Sequence, residues 1–275
     1  MPTATTSVTY PKRNPQARLR LFCFPYAGGN SFIFRPWLNS LPLEVELGAI
    51  ELPGHGTRMA ETPLTQMTEL VAAIASDLLP HLDQPFVFFG HSMGAWVSFE
   101  VARWLHTHHH VCPVHLFVSG ARAPQIPHRK PPIHQLPEAE FVAALRRLQG
   151  TPEAVLEHRE LMELMLPILR ADFAVLETYT HTPQAPLPCP ITAFGGLQDE
   201  DVSPEMLQAW QTQTSASFSR RMLPGHHFFI HSDQALLLEL LNQELTQILS
   251  RQPEYDPSRP PRMEQALKFP PNLGG

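Results

Sequence analysis

Short apolar runs alternate with helical patterns along most of the chain. Six runs have the composition of parallel strands that helices cover on both faces, at residues 19–24, 45–50, 86–89, 114–118, 191–194 and 218–223. Apolar residues recur at helical spacing over 67–78 and 95–105, which predicts two helices. A Ser-Pro pair at 203–204 predicts the start of another helix, and Ser232 is a candidate N-cap for the last helix. The alternation predicts an α/β protein with a mostly parallel, helix-covered sheet.

One long stretch interrupts this alternation. Residues 122–190 contain no strand-like run and instead show helical patterns at 138–148, 152–164 and 167–179, with prolines between them. Because about 70 residues are more than a connection needs, we predict a helical lid over the carboxyl edge of the sheet; a helical subdomain that only packs there is the alternative. The predicted organisation is a flexible arm (1–17), an α/β core in two pieces (18–121 and 191–250), the lid insertion (122–190) and a proline-rich tail (251–275).

Charge and composition argue against several classes of function. The 275 residues carry 20 Lys and Arg against 26 Asp and Glu, so the chain lacks the basic surplus with which proteins bind nucleic acids. No apolar run approaches the ~18 residues of a membrane span, and the first 15 residues lack an apolar signal segment, so we expect a cytoplasmic protein without a membrane partner. Cys23, Cys112 and Cys189 are widely spaced, and we expect free thiols and no metal site.

The strongest chemical signal is the sequence Gly-His-Ser-Met-Gly at residues 90–94. A strand-like run precedes it and a helical pattern follows, which is the context that a nucleophilic serine requires at a sharp strand-to-helix turn. Gly90 and Gly94 lack a Cβ, so the turn can be tight. We therefore predict that Ser92 is a nucleophile for acyl transfer.

An acid and a base for the serine follow in the order acid, then histidine. A serine hydroxyl needs a base to take its proton, and this order is the one found with this type of serine turn. Asp199 follows the fifth strand-like run and His227 follows the sixth, so both belong to the carboxyl edge of the sheet. Asp201 and His226 are the alternatives, and the residues alone leave the choice between the two histidines nearly even.

The negative oxygen of a tetrahedral intermediate needs two hydrogen-bond donors. The amide of Met93, directly after the serine, is one candidate, and the second is expected in the loop after an early strand. The glycine-containing loop at 25–29 follows the first strand-like run, and we select the Ala27 amide. A dinucleotide site in this loop is discounted because the chain has no G-x-G-x-x-G sequence.

Several longer motifs resemble those of the type II thioesterases of nonribosomal peptide and polyketide synthesis. They cover the range from about residue 18 to 249, and they are FPYAGG (24–29), LPGHG (52–56), GHSMG (90–94), VSGARAP (118–124), LQGTPE (148–153), LPILRADF (166–173) and PGHHFF (224–229). The serine turn is shared by many hydrolases, whereas the motifs at 148–153 and 166–173 in the predicted lid are far more specific.

This resemblance implies an α/β-hydrolase fold and the hydrolysis of acyl thioesters. It implies that Ser92 is the nucleophile, Asp199 the acid and His227 the base, with the Ala27 and Met93 amides as the oxyanion hole. It also implies a monomer whose partners are acyl or peptidyl carrier protein domains. No cofactor is expected, since the substrate itself carries the phosphopantetheine.

Three other functions fit the same residues. A carboxylesterase or lipase would use the same serine, acid and histidine on oxygen esters, and an acyltransferase would replace water by an alcohol or amine. A carrier-protein binding module without catalysis is the third alternative. For a carrier partner, basic residues of the predicted lid are candidates that could equally be an ordinary solvated face: Arg122, Arg129, Lys130, Arg146 and Arg147.

Overall fold

The structure is a computed structural model that describes residues 6–127 and 130–251. The start of the predicted arm, at residues 1–5, is outside the described residues, and so are Arg129 and the predicted tail from residue 252 onward.

A seven-stranded sheet forms the centre of the fold. Its strands are β1 (Val8–Thr9), β2 (Leu19–Phe24), β3 (Val45–Ile50), β4 (Phe86–His91), β5 (His115–Ser119), β6 (Ile191–Gly196) and β7 (Phe218–Leu223). They lie in the order β1-β3-β2-β4-β5-β6-β7, and every neighbouring pair is parallel except β1 with β3. The six predicted strands and the α/β class are confirmed, with strand ends shifted by at most two residues.

The sequence does not predict β1, which lies in the segment expected to be a flexible arm. Val8 pairs antiparallel with Ile50, and the Ser7 amide and hydroxyl donate to the Asp77 carboxylate at 2.8 and 2.6 Å. A strand of two residues has no periodicity that sequence reasoning could detect. The expectation of a flexible arm is therefore wrong for residues 7–9, which the sheet edge holds in place.

Helices cover both faces of the sheet. They are α1 (Met67–Leu78), α2 (Met93–His109), α3 (Glu138–Leu148), α4 (Glu153–Leu156), α5 (Arg159–Thr178), α6 (Pro204–Gln208), α7 (Phe229–Ser232) and α8 (Gln234–Arg251). Adjacent residues of β4 face opposite cores: Phe88 packs with residues of α1 and α2, and Phe89 packs with Trp37 and the leucines of α8. Because both faces are covered, β2 to β6 are buried at every position and mostly apolar, whereas the edge strand β7 exposes Arg220 and Arg221.

Of the two predicted helix caps, one is confirmed and one is wrong. Ser203 precedes α6, and its hydroxyl accepts from the Met206 amide at 3.3 Å. Ser232 instead ends the short helix α7, and its hydroxyl donates to the Asp233 carboxylate at 2.7 Å. The last helix, α8, begins only at Gln234.

The segment 122–190, called the insertion from here on, contains α3, α4 and α5. The sequence predicted a helix break before Pro167, but α5 runs through this proline. Proline cannot donate to the carbonyl four residues earlier, which normally favours a break or kink. Here apolar residues on both sides of Pro167, among them Met162 and Leu169, pack in one cluster with Phe141 of α3. Tertiary packing thus outweighs the local preference.

We predict that the central strand is far more sensitive to truncation than an exposed loop. Phe88 is 0% exposed and packs edge-to-face with Phe22 and Phe24. Phe88→Ala should lower the free energy of unfolding by about 3–5 kcal/mol in denaturant titrations, because it leaves a cavity. Leu43, which is 91% exposed, is the control, and Leu43→Ala should change that free energy by about 0.5 kcal/mol or less. Equal losses in both variants would contradict this description of the core.

Candidate active site

Ser92 lies at a sharp turn between β4 and α2. Its φ of 53° and ψ of −115° are a backbone conformation that residues with a side chain rarely adopt. The Ser92 amide donates to the Ser119 carbonyl at 2.7 Å, which ties the turn to the end of the neighbouring strand β5. The predicted strand–turn–helix arrangement around Ser92 is therefore present.

The turn depends on two glycines where backbones approach closely. A Cβ on Gly90 would lie 2.1 Å from the Gly94 carbonyl oxygen, and a Cβ on Gly94 would lie 2.2 Å from the Phe24 carbonyl oxygen. Both distances are far shorter than non-bonded atoms tolerate, and in both cases the obstacle is backbone. The missing side chains thus allow α2 to begin directly against the end of β2 and keep Ser92 at the sheet edge.

The imidazole of His227 lies between the Ser92 hydroxyl and the Asp199 carboxylate. Its Nε2 is 3.0 Å from Ser92 Oγ, and its Nδ1 is 2.8 Å from Asp199 Oδ2. Since a carboxylate only accepts hydrogen bonds, we assign the proton to Nδ1, which leaves Nε2 to accept from the hydroxyl. The Asp199 side chain is 1% exposed and that of His227 is 23% exposed, so the carboxylate is shielded while the imidazole is accessible.

The structure places Asp199, and not Asp201, beside His227. The second oxygen of Asp199, Oδ1, accepts from the amides of Asp201 and Val202 at 2.9 and 3.2 Å. These bonds leave Oδ2 aimed at the imidazole. The Asp201 side chain points elsewhere and forms an ion pair with Lys130 of the insertion.

His226 and His227 have different surroundings. His226 Nδ1 lies 2.9 Å from the Gln198 carbonyl oxygen, which ties the loop after β7 to the loop after β6. The His227 ring packs edge-to-face against Phe228, with 5.2 Å between ring centroids. Of the two histidines that the sequence left open, His227 is therefore the one that lies between Ser92 and the acid.

His91, the residue before the serine, is a fully buried histidine. Its Nδ1 lies 2.9 Å from Ser119 Oγ, and its ring centroid lies 5.5 Å from that of His227. Burial, reinforced by the nearby histidines, holds the pKa of His91 well below its ordinary value of 6.5. The ring is thus neutral and adds no charge beside His227.

The two amides expected to form an oxyanion hole lie on neighbouring elements. Met93 is the first residue of α2, where N–H groups have no partner within the helix. Ala27 lies in the loop after β2, and Phe24 at the end of β2 pairs with Gly90 in β4. The strand order therefore brings both amides to the edge that carries Ser92. Their catalytic role stays a prediction.

A cavity of about 240 Å³ adjoins the Ala27 loop. The loop forms one wall and the insertion forms the other, with the apolar side chains of Val155, Leu161, Met165 and Leu169. An apolar wall next to the predicted oxyanion hole is suited to the acyl part of a substrate.

Two buried residues behind the Ala27 loop were overlooked by sequence reasoning. Asp172 of α5 accepts from the Gly28 amide at 2.6 Å and lies 2.9 Å from His55 Nε2. The available signal for Asp172 was a carboxylate among the apolar positions of a helical pattern, because a buried carboxylate requires hydrogen-bond partners. His55 lies in the LPGHG motif (52–56), which marks the turn but does not indicate that its partner is Asp172.

Other kinds of site are not found in the described part of the chain. Within residues 6–127 and 130–251, no group of three or more His, Cys, Asp or Glu side chains could hold a metal ion. Over the same ranges, no helix has the length and apolar character needed to span a bilayer. Cys23, Cys112 and Cys189 are free thiols, as expected.

Comparisons with known proteins agree with this site. Residues 19–245 match the thioesterase domain family. The gramicidin S biosynthesis protein GrsT of Aneurinibacillus migulanus is 46% identical over 237 residues, which are 86% of this chain and 93% of GrsT. Among solved structures, the chain is similar to RedJ, a thioesterase from the prodiginine biosynthetic pathway in Streptomyces coelicolor. The two superpose with a TM-score of 0.79 at 39% sequence identity, and the match covers 88% of this chain and 91% of RedJ.

A second solved structure is similar to the same extent. The type II thioesterase BorB from the borrelidin biosynthetic cluster has a TM-score of 0.80 at 32% identity, with coverage of 88% of this chain and 99% of BorB. The resemblance to type II thioesterases and the expected α/β-hydrolase fold are thus confirmed. The chain belongs to the thioesterase family, and it is a hydrolase that acts on thioesters.

Proposed function

We propose that this chain is a type II thioesterase that hydrolyses acyl or aminoacyl groups from the phosphopantetheine arms of carrier proteins in nonribosomal peptide or polyketide synthesis. One observation carries the proposal: His227 lies within hydrogen-bond distance of both Ser92 Oγ (3.0 Å) and Asp199 Oδ2 (2.8 Å). Similarity to GrsT and BorB, proteins of the gramicidin S and borrelidin pathways, supports the biosynthetic setting.

The first half of the reaction transfers the acyl group to Ser92. His227 Nε2 takes the hydroxyl proton while Oγ attacks the thioester carbonyl. The carbonyl oxygen becomes negative and accepts hydrogen bonds from the Ala27 and Met93 amides. When this intermediate collapses, the carbon–sulfur bond breaks, and the His227 imidazolium gives its proton to the departing thiol. An acyl ester of Ser92 remains.

The second half hydrolyses that ester. A water molecule gives a proton to His227 Nε2 and attacks the ester carbonyl, and the same two amides stabilise the second oxyanion. Collapse releases the carboxylic acid and returns the proton to Ser92 Oγ. In both halves Asp199 orients the imidazole through Nδ1–H and stabilises its charged form. Editing would follow from this chemistry, because hydrolysis clears stalled acyl groups from carrier domains.

The basic residues of the insertion differ in how available they are for contact with a carrier protein. The Arg122 side chain packs against the core: its guanidinium lies over the Trp96 ring at 4.3 Å and donates to the Ile126 carbonyl at 2.9 Å. Arg146 and Arg147 are exposed at the end of α3, where Arg146 donates to the Glu153 carboxylate at 2.8 Å on the surface. The exposed end of α3 is therefore the better candidate for contact with an acidic carrier protein.

The first prediction concerns the proposed triad. Ser92→Ala should lower kcat on an acyl-loaded carrier protein by more than ~10³-fold, and Asp199→Asn should lower it by ~10³- to 10⁴-fold, because the histidine loses its orienting acceptor. Asp201→Asn, in the same loop, is the matched control and should keep kcat within about threefold. Wild-type activity in Ser92→Ala would exclude the proposed mechanism.

The second prediction concerns acid pH. A protonated His227 cannot accept the serine proton, so kcat/KM should fall tenfold per pH unit on the acid side of its profile as one group gains a proton. The measurement is the rate of carrier-protein deacylation across pH, with circular dichroism to establish that the chain stays folded. A rate that stays level while the folded chain is acidified would argue against His227 as the base.

The third prediction separates the proposal from its alternatives. With matched acyl chains on a pantetheine thioester and on the corresponding oxygen ester, the thioester should have the higher kcat/KM. A clear preference for the oxygen ester would indicate a carboxylesterase or lipase instead. Acyl transfer to an added alcohol or amine would indicate an acyltransferase, and carrier binding without turnover would indicate a binding module.

A further inference from the structure

The carboxylate of Asp172 connects the insertion to the loop that carries Ala27. Asp172 lies on α5, and a single oxygen, Oδ2, accepts from the Gly28 amide at 2.6 Å and from His55 Nε2 at 2.9 Å. The side chains of Asp172 and His55 are only 4% and 3% exposed. Since water is excluded, these contacts are stronger than the same contacts on a surface.

The surroundings of His55 favour its charged form. Its Nε2 faces the Asp172 carboxylate, and its Nδ1 lies 3.0 Å from the Pro53 carbonyl oxygen. Both partners are acceptors, so we assign a proton to each ring nitrogen. The charged groups that face this ring are Asp172 from α5 and, farther away, Glu51 after β3. Although burial opposes it, these carboxylates raise the pKa of His55 above its ordinary value of 6.5.

Gly28 is held from two directions by α5. Its φ of +77° is a conformation that favours glycine, and a Cβ at this position would lie 2.6 Å from Leu169 Cδ2. Leu169 therefore packs directly over Gly28 while Asp172, three residues along the same helix, binds its amide. The Gly28 N–H belongs to the peptide group that follows Ala27, so holding this group restricts the ψ rotation of Ala27, next to the peptide group that carries the Ala27 N–H.

We propose that Asp172 is a positioning residue for the oxyanion hole: together with His55 it holds the Gly28 amide and so aims the Ala27 amide at the oxyanion. The inference rests on the proposed function, because it concerns the same Ser92 chemistry. The second oxyanion donor, the Ala27 amide, is then in place only while α5 packs against the loop at 25–29. A helix of the insertion thus completes the catalytic geometry of the core.

The chain offers a matched control on the same helix. Glu177 of α5 also forms a partly buried pair with a histidine: it lies 2.5 Å from His134 Nδ1 and accepts from the Ile133 amide at 2.8 Å. The hydrogen bonds of Glu177 go to residues 133 and 134 of the insertion, whereas those of Asp172 go to Gly28 and His55. Glu177→Gln therefore weakens the insertion without touching the proposed oxyanion hole.

The experiment compares Asp172→Asn with Glu177→Gln in steady-state hydrolysis of an acyl-loaded carrier protein. With its oxygen in place of Oδ2, Asn still accepts from both donors but lacks the negative charge that pairs with His55; with its NH2 there, it accepts from neither. In both orientations the Gly28 amide is held less firmly. Because small misplacements of catalytic groups are costly, Asp172→Asn should lower kcat by ~10- to 100-fold. Its KM should change by about threefold or less, and Glu177→Gln should keep both constants within about threefold. Equal losses in the two variants, or a change in KM alone, would overturn the proposal.

A second readout reports on the oxyanion itself. An alkyl trifluoromethyl ketone forms a hemiketal with a nucleophilic serine, and the negative oxygen of this adduct occupies the oxyanion hole. Asp172→Asn should raise the inhibition constant by the same factor by which it lowers kcat/KM, as expected for an interaction made in the transition state. Unchanged inhibition alongside a lower kcat would mean that Asp172 acts elsewhere.

The charge on His55 gives a pH test. Its raised pKa means that the pair with Asp172 is intact at low pH and is lost as pH rises through the folded-state pKa, which lies above 6.5. The wild type should therefore show a fall in kcat on the alkaline side, and His55→Gln should have a lower kcat without that fall. The same alkaline fall in His55→Gln would overturn the role of the His55 charge.

Two controls keep the outcomes separate. Thermal unfolding of each variant establishes that it is folded; if Asp172→Asn does not fold, His55→Gln, which removes the same ion pair from the other side, replaces it in both assays. Ser92→Ala serves as the reference for the proposed function. An active Ser92→Ala would refute that function and this inference together, whereas an inactive Ser92→Ala with a fully active Asp172→Asn would refute the inference alone.

Discussion

The two hydrogen bonds of the His227 imidazole join it to Ser92, which is 135 residues away in the chain, and to Asp199, which is 28 residues away. They are possible because β4, β6 and β7 are parallel and end at the same edge of the sheet. The loop after β6 supplies Asp199, the loop after β7 supplies His227, and the turn after β4 supplies Ser92. Each loop is anchored by backbone contacts, so the geometry is set before any substrate binds.

The insertion contacts this edge of the sheet in two ways. Its apolar side chains form one wall of the cavity beside Ala27, where they are suited to an acyl group. Its helix α5 also contacts the Ala27 loop through Leu169 and Asp172. On the proposed function, the same insertion would cover the acyl group and hold the Ala27 amide in position, so substrate binding and oxyanion stabilisation would depend on one segment.

Much of the fold and the central part of the site follow from local sequence. The inner strands β2 to β6 are mostly apolar on both faces and stand out, and the turn at Ser92 is marked by Gly90 and Gly94. The features that local sequence does not predict depend on contacts between distant parts of the chain. Residues 8–9 become a strand only by pairing with β3, and α5 passes through Pro167 only because its neighbours pack against α3. The choice of His227 over His226 likewise depends on where the loop after β7 lies, and the pairing of Asp172 with His55 joins residues 117 positions apart.

The central claim is that Ser92 carries the acyl group between the thioester and water. Rapid mixing with an excess of acyl-loaded carrier protein, acid quenching within the first turnover and peptide mass spectrometry test it directly. The account predicts the mass of one acyl group on the peptide that contains Ser92, and its disappearance as free acid accumulates. An acyl group on another residue, or free acid formed with no acylated peptide at any time in the first turnover, would contradict it.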